Sequence, residues 1–181
     1  DLGGDFMQGY FLARPNLLKS VAELEPVSAT AREFKARLLE SVRHNREVHN
    51  ERLDILRALR GALKGGTPDE FEARLRPLLA GCSSVVSVCL LDLDGVQISD
   101  TIVNNVPFLP QKTVIFAPPP RGTDHSFREY FYLLLEGSLD PFVTAPYVPL
   151  PSGDLCVTMS TFVEGAAGER SVLTVHFRVE E

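Results

Sequence analysis

The chain has 181 residues, enough for one ordinary domain or a small domain with attachments. With 44% hydrophobic and 23% charged residues it has the composition of a protein with a packed core, which argues against a disordered or collagen-like chain. A formal charge of -6 excludes a dominant electrostatic grip on nucleic acid or anionic lipid, because both require a basic surface, and leaves a small molecule or another protein as the expected partner.

No run approaches the ~18 uninterrupted apolar residues of a membrane span, and no secretory leader opens the chain, so a cytoplasmic location without membrane contact is expected. With Asp1 in place of Met, the sequence is expected to be a piece of a longer protein. Cys82, Cys89 and Cys156 form no CxxC pair and are odd in number, which favours free thiols over a disulfide framework or a zinc site. No cofactor or metal is expected. Charge divides the chain at Gly65-Gly66, with +2 before and −8 after, and a domain boundary is placed there.

The first predicted element runs from Ser28 to Lys64, free of proline and of glycine until Gly61 and rich in Ala, Leu, Arg and Glu, and reads as one long helix. Phe34, Leu38, Leu39 and Val42 are apolar at one end and Leu53, Ile55, Leu56, Leu59 and Leu63 at the other, while Arg43 to Glu51 offers only Val48. A heptad seam through Leu38, Val42, Leu56 and Leu63 would have a polar middle, so a dimeric coiled coil and a solvated monomeric connector both remain open. Thr67-Pro68-Asp69-Glu70 is a capping box with proline at the first helical position, followed by an apolar stripe at Phe71, Leu75, Leu78 and Leu79 and a stop at Gly81.

Ser84–Leu93 and Val96–Val103 flank Asp94-Gly95 in the sequence form of a tight β-hairpin. Residues 104–124 form a long proline-broken loop, regular at most over Thr113–Phe116, and loops of this length often carry function. Ser126 with Glu129 reads as a second capping box, opening a helix whose apolar stripe is Phe127, Tyr130, Phe131, Leu134 and Leu135 and which ends at Gly137. Strands follow at Phe142–Leu150, Leu155–Val163 and Ser171–Val179, the first demoted to an edge by Pro146 and Pro149. The predicted class is α+β: a PAS-like, five-stranded, mostly antiparallel sheet with flanking helices, preceded by a long connecting helix.

Two stretches carry a family resemblance. Asp5-Phe6-Met7-Gln8-Gly9-Tyr10-Phe11-Leu12-Ala13-Arg14-Pro15 resembles the closing segment of EAL domains, the cyclic di-GMP phosphodiesterases, and Gln8 matches a glutamine that sits by the active site there. The barrel's metal-binding acids would lie upstream of Asp1, so this chain is expected to have no phosphodiesterase activity of its own. Residues 67–181 resemble a Cache (PDC-type) sensor domain through Leu91-Asp92-Leu93-Asp94-Gly95, Asp124-His125-Ser126-Phe127-Arg128-Glu129-Tyr130-Phe131, Tyr147 and Val157-Thr158-Met159-Ser160. The resemblance implies a small-ligand site around Arg128, Tyr130 or Phe131, and Tyr147. His176 stands about where the family has an amine-binding Asp, so an anion such as a carboxylate fits better than an amino acid.

Read from the residues alone, Arg128 is as readily a solvated surface charge, and Tyr130, on the apolar face, a core residue with its hydroxyl on a backbone group. Alternation puts Leu173, Val175 and Phe177 on one side of the last strand and Thr174, His176 and Arg178 on the other, with Cys156, Thr158, Ser160 and Phe162 similarly grouped on its neighbour. If the polar sides pair, Thr158, Ser160 and His176 line a pocket; the plainer expectation is a solvated sheet face. A Cys156/His176 nucleophile lacks a third group, and Asp92 and Asp94 are explained by turn chemistry. The whole reads as the regulatory end of a bacterial cyclic di-GMP signalling protein: 1–15 the end of an EAL domain, 16–66 a helical linker, 67–181 a sensor, with a homodimer expected and a GGDEF-type domain able to follow Glu181. The alternative is a purely structural dimerisation module without a ligand.

Overall fold

The computed structural model describes residues 25–104, 117–149 and 155–179. The EAL-like segment with Gln8, the Thr113–Phe116 stretch and the Ser152-Gly153-Asp154 turn lie outside the described residues. Helix α1 spans Glu25–Leu63, α2 Phe71–Leu79 and α3 Glu129–Glu136, and the strands are β1 Val85–Leu91, β2 Ile102–Val103, β3 Phe142–Val143, β4 Cys156–Glu164 and β5 Arg170–Arg178. The sheet has the order β2-β1-β5-β4-β3, with every neighbouring pair antiparallel, as the sequence reading expects. Among the described residues no helix is long and apolar enough to cross a membrane.

Two compact units are present, Asp1–Asn50 and Glu51–Glu181. In the first, Phe34, Leu38, Leu39 and Val42 are exposed on α1. The second starts inside α1 because the last turns of that helix belong to the sheet's core: Leu56, Leu59 and Leu63 join Phe71, Leu75 and Leu79 of α2 over one face of the sheet. That face carries Leu90, Val157, Met159, Leu173, Val175 and Phe177, the odd positions of β5 with their β4 partners. The Thr67–Glu70 box forms as read, with the Thr67 N–H donating to Glu70 Oε2 at 3.2 Å, but it caps a single 3₁₀ turn over Pro68–Glu70 before α2 begins.

The second capping box does not form. Asp124 Oδ1 accepts from the Ser126 N–H (2.8 Å), Arg128 is the N-cap, and α3 starts two residues later than expected. Phe127, assigned from sequence to the apolar stripe, is 90% exposed, while Tyr130, Phe131 and Leu134 are buried. The hairpin is also looser than its turn suggests. Asp92 Oδ1 accepts from the Asp94 and Val96 N–H groups, but the ladder breaks where Ser99 Oγ takes the Leu90 N–H, resuming only at Ile102–Val103.

Core truncations should separate the two units' contributions. Leu75→Ala or Phe71→Ala, both essentially unexposed, is expected to cost about 2–5 kcal/mol in chemical denaturation, whereas Phe34→Ala, 54% exposed, should stay within about 0.5 kcal/mol.

Candidate functional site

The opposite face of the sheet is polar, and it is built by the pairing of β4 with β5. Thr158 lies opposite His176 and Ser160 opposite Thr174, so alternation brings hydroxyls and an imidazole together on one side. The plainer sequence expectation, a solvated face, is not met: Thr158, Ser160 and Thr174 are fully buried and His176 is half-buried. The reason is that other elements fold over them. α3 lays Tyr130, Phe131 and Leu134 against Cys89, Leu91 and Val172, and Tyr147 docks beside Cys156 through two backbone hydrogen bonds of 2.8 Å each. Pro146 and Pro149 lack an N–H, and regular β3 pairing stops at Val143, leaving Tyr147 on an irregular edge.

At the centre Tyr147 Oη, Thr158 Oγ1 and His176 Nδ1 form a triangle with edges of 2.6 Å (Tyr147–Thr158), 2.7 Å (Thr158–His176) and 3.2 Å (Tyr147–His176). The Tyr130 ring meets the His176 ring edge-on at 5.8 Å, and its hydroxyl lies 2.7 Å from His125 Nδ1. His125 Nε2 is 3.0 Å from Gln97 Oε1. Tyr130 is thus buried as expected, but its hydroxyl is satisfied by a side chain and not by a backbone group. Gly95 makes this reach feasible: its φ is +86°, its carbonyl accepts the His125 N–H at 2.8 Å, and a Cβ there would stand 2.8 Å from the Ser126 backbone.

Of the six residues expected to form the site, Tyr147, Thr158 and His176 come into mutual contact, and Tyr130 meets His176 ring to ring. Ser160 is adjacent but its hydroxyl donates to the Tyr130 carbonyl (2.5 Å), which fastens α3 to the sheet. Arg128 stands exposed at the head of α3, close enough for its positive charge to act on Tyr130, Tyr147 and His125. His125 and Gln97 were not singled out from sequence; His125 lies within the Asp124–Phe131 motif, where it reads as part of a helix cap. Cys156 is fully buried and sits two positions from Thr158 on β4, and no hydrogen bond between it and His176 is formed among the described residues. Cys89 Sγ lies 2.9 Å from Thr174 Oγ1, and burial pushes its thiol up to about 11, so it is inert as a nucleophile.

Burial, reinforced by the charge of His125, pushes His176 from 6.5 down to about 4, and burial followed by the nearby Arg128 lowers His125 as well. Both rings are neutral at pH 7. Burial raises the Tyr147 hydroxyl, only partly offset by its bond to Thr158, so it remains a phenol. At neutral pH the floor of the face therefore holds uncharged hydrogen-bonding groups beside one peripheral guanidinium. Two open grooves lie elsewhere: one of about 260 Å³ along Arg57, Arg60 and Lys64, and one of about 470 Å³ between Pro68 and Arg121 that reaches the network only at Gln97.

No protein-family model matches the sequence, and no curated protein matches it. Solved structures do. The Bacillus subtilis YkuI protein, with an EAL domain and in complex with substrate c-di-GMP and calcium, aligns at a TM-score of 0.57 and 18% identity, covering 96% of this chain and 43% of that one. The ligand-binding domain of Mlp24 with asparagine gives 0.58 and 13%, covering 86% and 60%, and that of the Pseudomonas aeruginosa PAO1 amino-acid chemoreceptor PctC with GABA gives 0.58 and 17%, covering 83% and 62%. The fold is that of Cache/PDC domains. The chain spans between 43% and 62% of these three neighbours, and at such identities the likeness is one of fold.

A buried base whose folded value is depressed makes the unfolded chain the better proton binder. Stability contributed by a neutral His176 is therefore complete above about pH 6.5 and is lost as pH falls toward about 4, by on the order of 3 kcal/mol at most. Melting curves between pH 7 and 4 should show this fall, and His176→Asn should flatten it.

Proposed function

We propose that residues 67–181, held on the last turns of α1, form a sensor domain that binds a small molecule over the polar face of the sheet. The observation that carries the reading is the cluster of His176, Thr158, Tyr147, Tyr130 and His125, polar groups from four separate stretches of chain gathered where an antiparallel sheet would ordinarily carry either core or solvent. Cache/PDC neighbours solved with asparagine or GABA support a small-ligand role for this fold. Arg128 at the rim adds a donor fork suited to an anionic group. In this reading the chain performs no catalysis.

The domain would serve a cyclic di-GMP signalling protein of EAL type, with 1–15 closing the EAL domain and 16–66 as the connecting helix. Support comes from the Gln8-Gly9-Tyr10 segment and from the YkuI structure, whose alignment takes in nearly the whole of this chain. Ligand occupancy would shift output by its difference in affinity between two arrangements of the helix. A second reading, a dimerisation module, is favoured by one feature: Phe34, Leu38 and Val42 are 42–55% exposed at helical spacing. Sedimentation of the protein and of a Leu38→Asp variant would reveal a dimer held by that stripe.

A thermal-shift screen of small carboxylates and amino acids should return at least one stabilising compound. Its affinity should fall about tenfold or more in Arg128→Ala and in Tyr147→Phe while the unliganded melting temperature of Arg128→Ala stays near that of the parent. A response unchanged in both variants would place the ligand elsewhere.

A further inference from the structure

Thr158, Ser160 and Thr174 have no exposed surface, and neither of the two grooves opens onto them. A molecule reaches their hydroxyls when a covering element moves, and two elements lie over the face. α3 is held down by the buried Tyr130, Phe131 and Leu134. The segment that follows it, residues 137–149, has Thr144 as its one buried residue. Local opening occurs where few apolar groups are buried, so the segment lifts more readily than the helix.

Along β4 this segment is fastened mainly by polar bonds. β3 is two residues long and pairs Phe142 with Ser160 and Val143 with Met159 at the outer edge of the sheet. The Thr144 N–H donates to the Thr158 carbonyl (3.0 Å), the Thr158 N–H donates to Thr144 Oγ1 (2.9 Å), and Tyr147 and Cys156 exchange two backbone bonds of 2.8 Å. Another fastening lies on the opposite face. Thr161 alternates with Met159 and Val163 on the α1–α2 side, is buried (1% exposed) and donates to Asp140 Oδ1 at 2.5 Å. Arg60 of α1 stands beside this bond, with Nη1 3.4 Å from Thr161 Oγ1 and 3.7 Å from Asp140 Oδ2. The segment thus wraps the edge of the sheet, with Asp140 on the face of α1 and Tyr147 on the face of the cluster. Where it leaves α3, Ser138 holds a φ of +50°, a left-handed conformation uncommon for a residue with a Cβ.

We propose that residues 137–149 are the gate of the ligand site, a strap that swings from the turn at Gly137 and Ser138 and is latched by Asp140 on Thr161. Opening withdraws Tyr147 and uncovers Thr158 and His176, to which its hydroxyl is bonded when closed. The inference rests on the ligand site proposed above and adds to it the route by which a ligand enters. Opening also takes Asp140 away from Arg60, so the last turn of α1 loses a contact each time the strap lifts.

Amide hydrogen exchange, followed residue by residue on the whole chain without ligand, tests the gate. The amides of Thr144, Tyr147, Cys156 and Thr158 bond across the strap, and they should exchange as a group about tenfold or more faster than those of β5, which is paired on both sides. Thr161→Val keeps the volume and removes the latch donor; it should speed that group about threefold or more and leave β5 unchanged, while Asp140→Asn, which keeps an acceptor, should do so less. Iodoacetamide serves as a small entry probe: the buried Cys156, bonded to Tyr147 through the backbone, should be alkylated faster in Thr161→Val, and Cys89, packed beneath α3, should not. Exchange of the group only together with β5, opening of Leu134 along with it, a Thr161→Val effect spread evenly over strap and sheet, or an unchanged Cys156 rate overturns the inference and leaves the ligand site standing. The ligand-site reading fails separately, in the thermal-shift screen, since none of these measurements requires a ligand.

Discussion

Residues Cys156–Glu164 and Arg170–Arg178 pair without a break over nine residues, and the register that sets Thr158 against His176 decides what each face of the sheet carries. Side chains alternate with a period of two, so a slip of one residue in β4 would carry Thr158 and Ser160, and in β5 Thr174 and His176, into the apolar layer under α1 and α2. The turn pins that register: the Gly165 N–H donates to the Glu169 carbonyl at 2.9 Å, and Gly168 adopts a φ of +80° that suits glycine. The leucines of the α1–α2 layer and Phe71 hold the sheet from one side, and this leaves the other side free to be polar.

A buried polar face is stable only when its groups are satisfied, and here each hydroxyl has a defined partner. Ser160 fastens α3 through the Tyr130 carbonyl, Thr174 shares a contact with Cys89 on β1, and Thr158 joins Tyr147 to His176. Segments far apart in the chain are tied by these bonds: the Gln97–His125 contact spans 28 residues and the Thr158–His176 contact 18. The same bonds order the side chains of the polar face, so the placement of His176 is a consequence of the fold and not of His176 alone.

Much of this architecture could be read from residue patterns. The alternation in β4 and β5, the Asp94-Gly95 turn and the Thr67–Glu70 box each depend on neighbours in sequence, and each led to the right element. Two features did not follow. Ser126 and Glu129 have the spacing of a capping box, but Asp124 captures the Ser126 N–H first and displaces Phe127 into solvent. Alternation marks which residues share a face, yet it does not say whether that face is covered; the burial of Thr158 and Ser160 depends on α3 and Tyr147. His125 and Gln97 escaped notice because what gives them meaning is a contact with each other and with Tyr130, invisible to local pattern.

The central claim is that the cluster around His176 is a receptor surface. A crystal structure of the protein grown in the presence of its best stabilising compound tests it most directly. The account predicts density for the compound against the cluster of His176, Tyr147 and Tyr130. Density confined to the groove along Arg57, Arg60 and Lys64, or to the one between Pro68 and Arg121, with the His176 cluster unchanged, would contradict it.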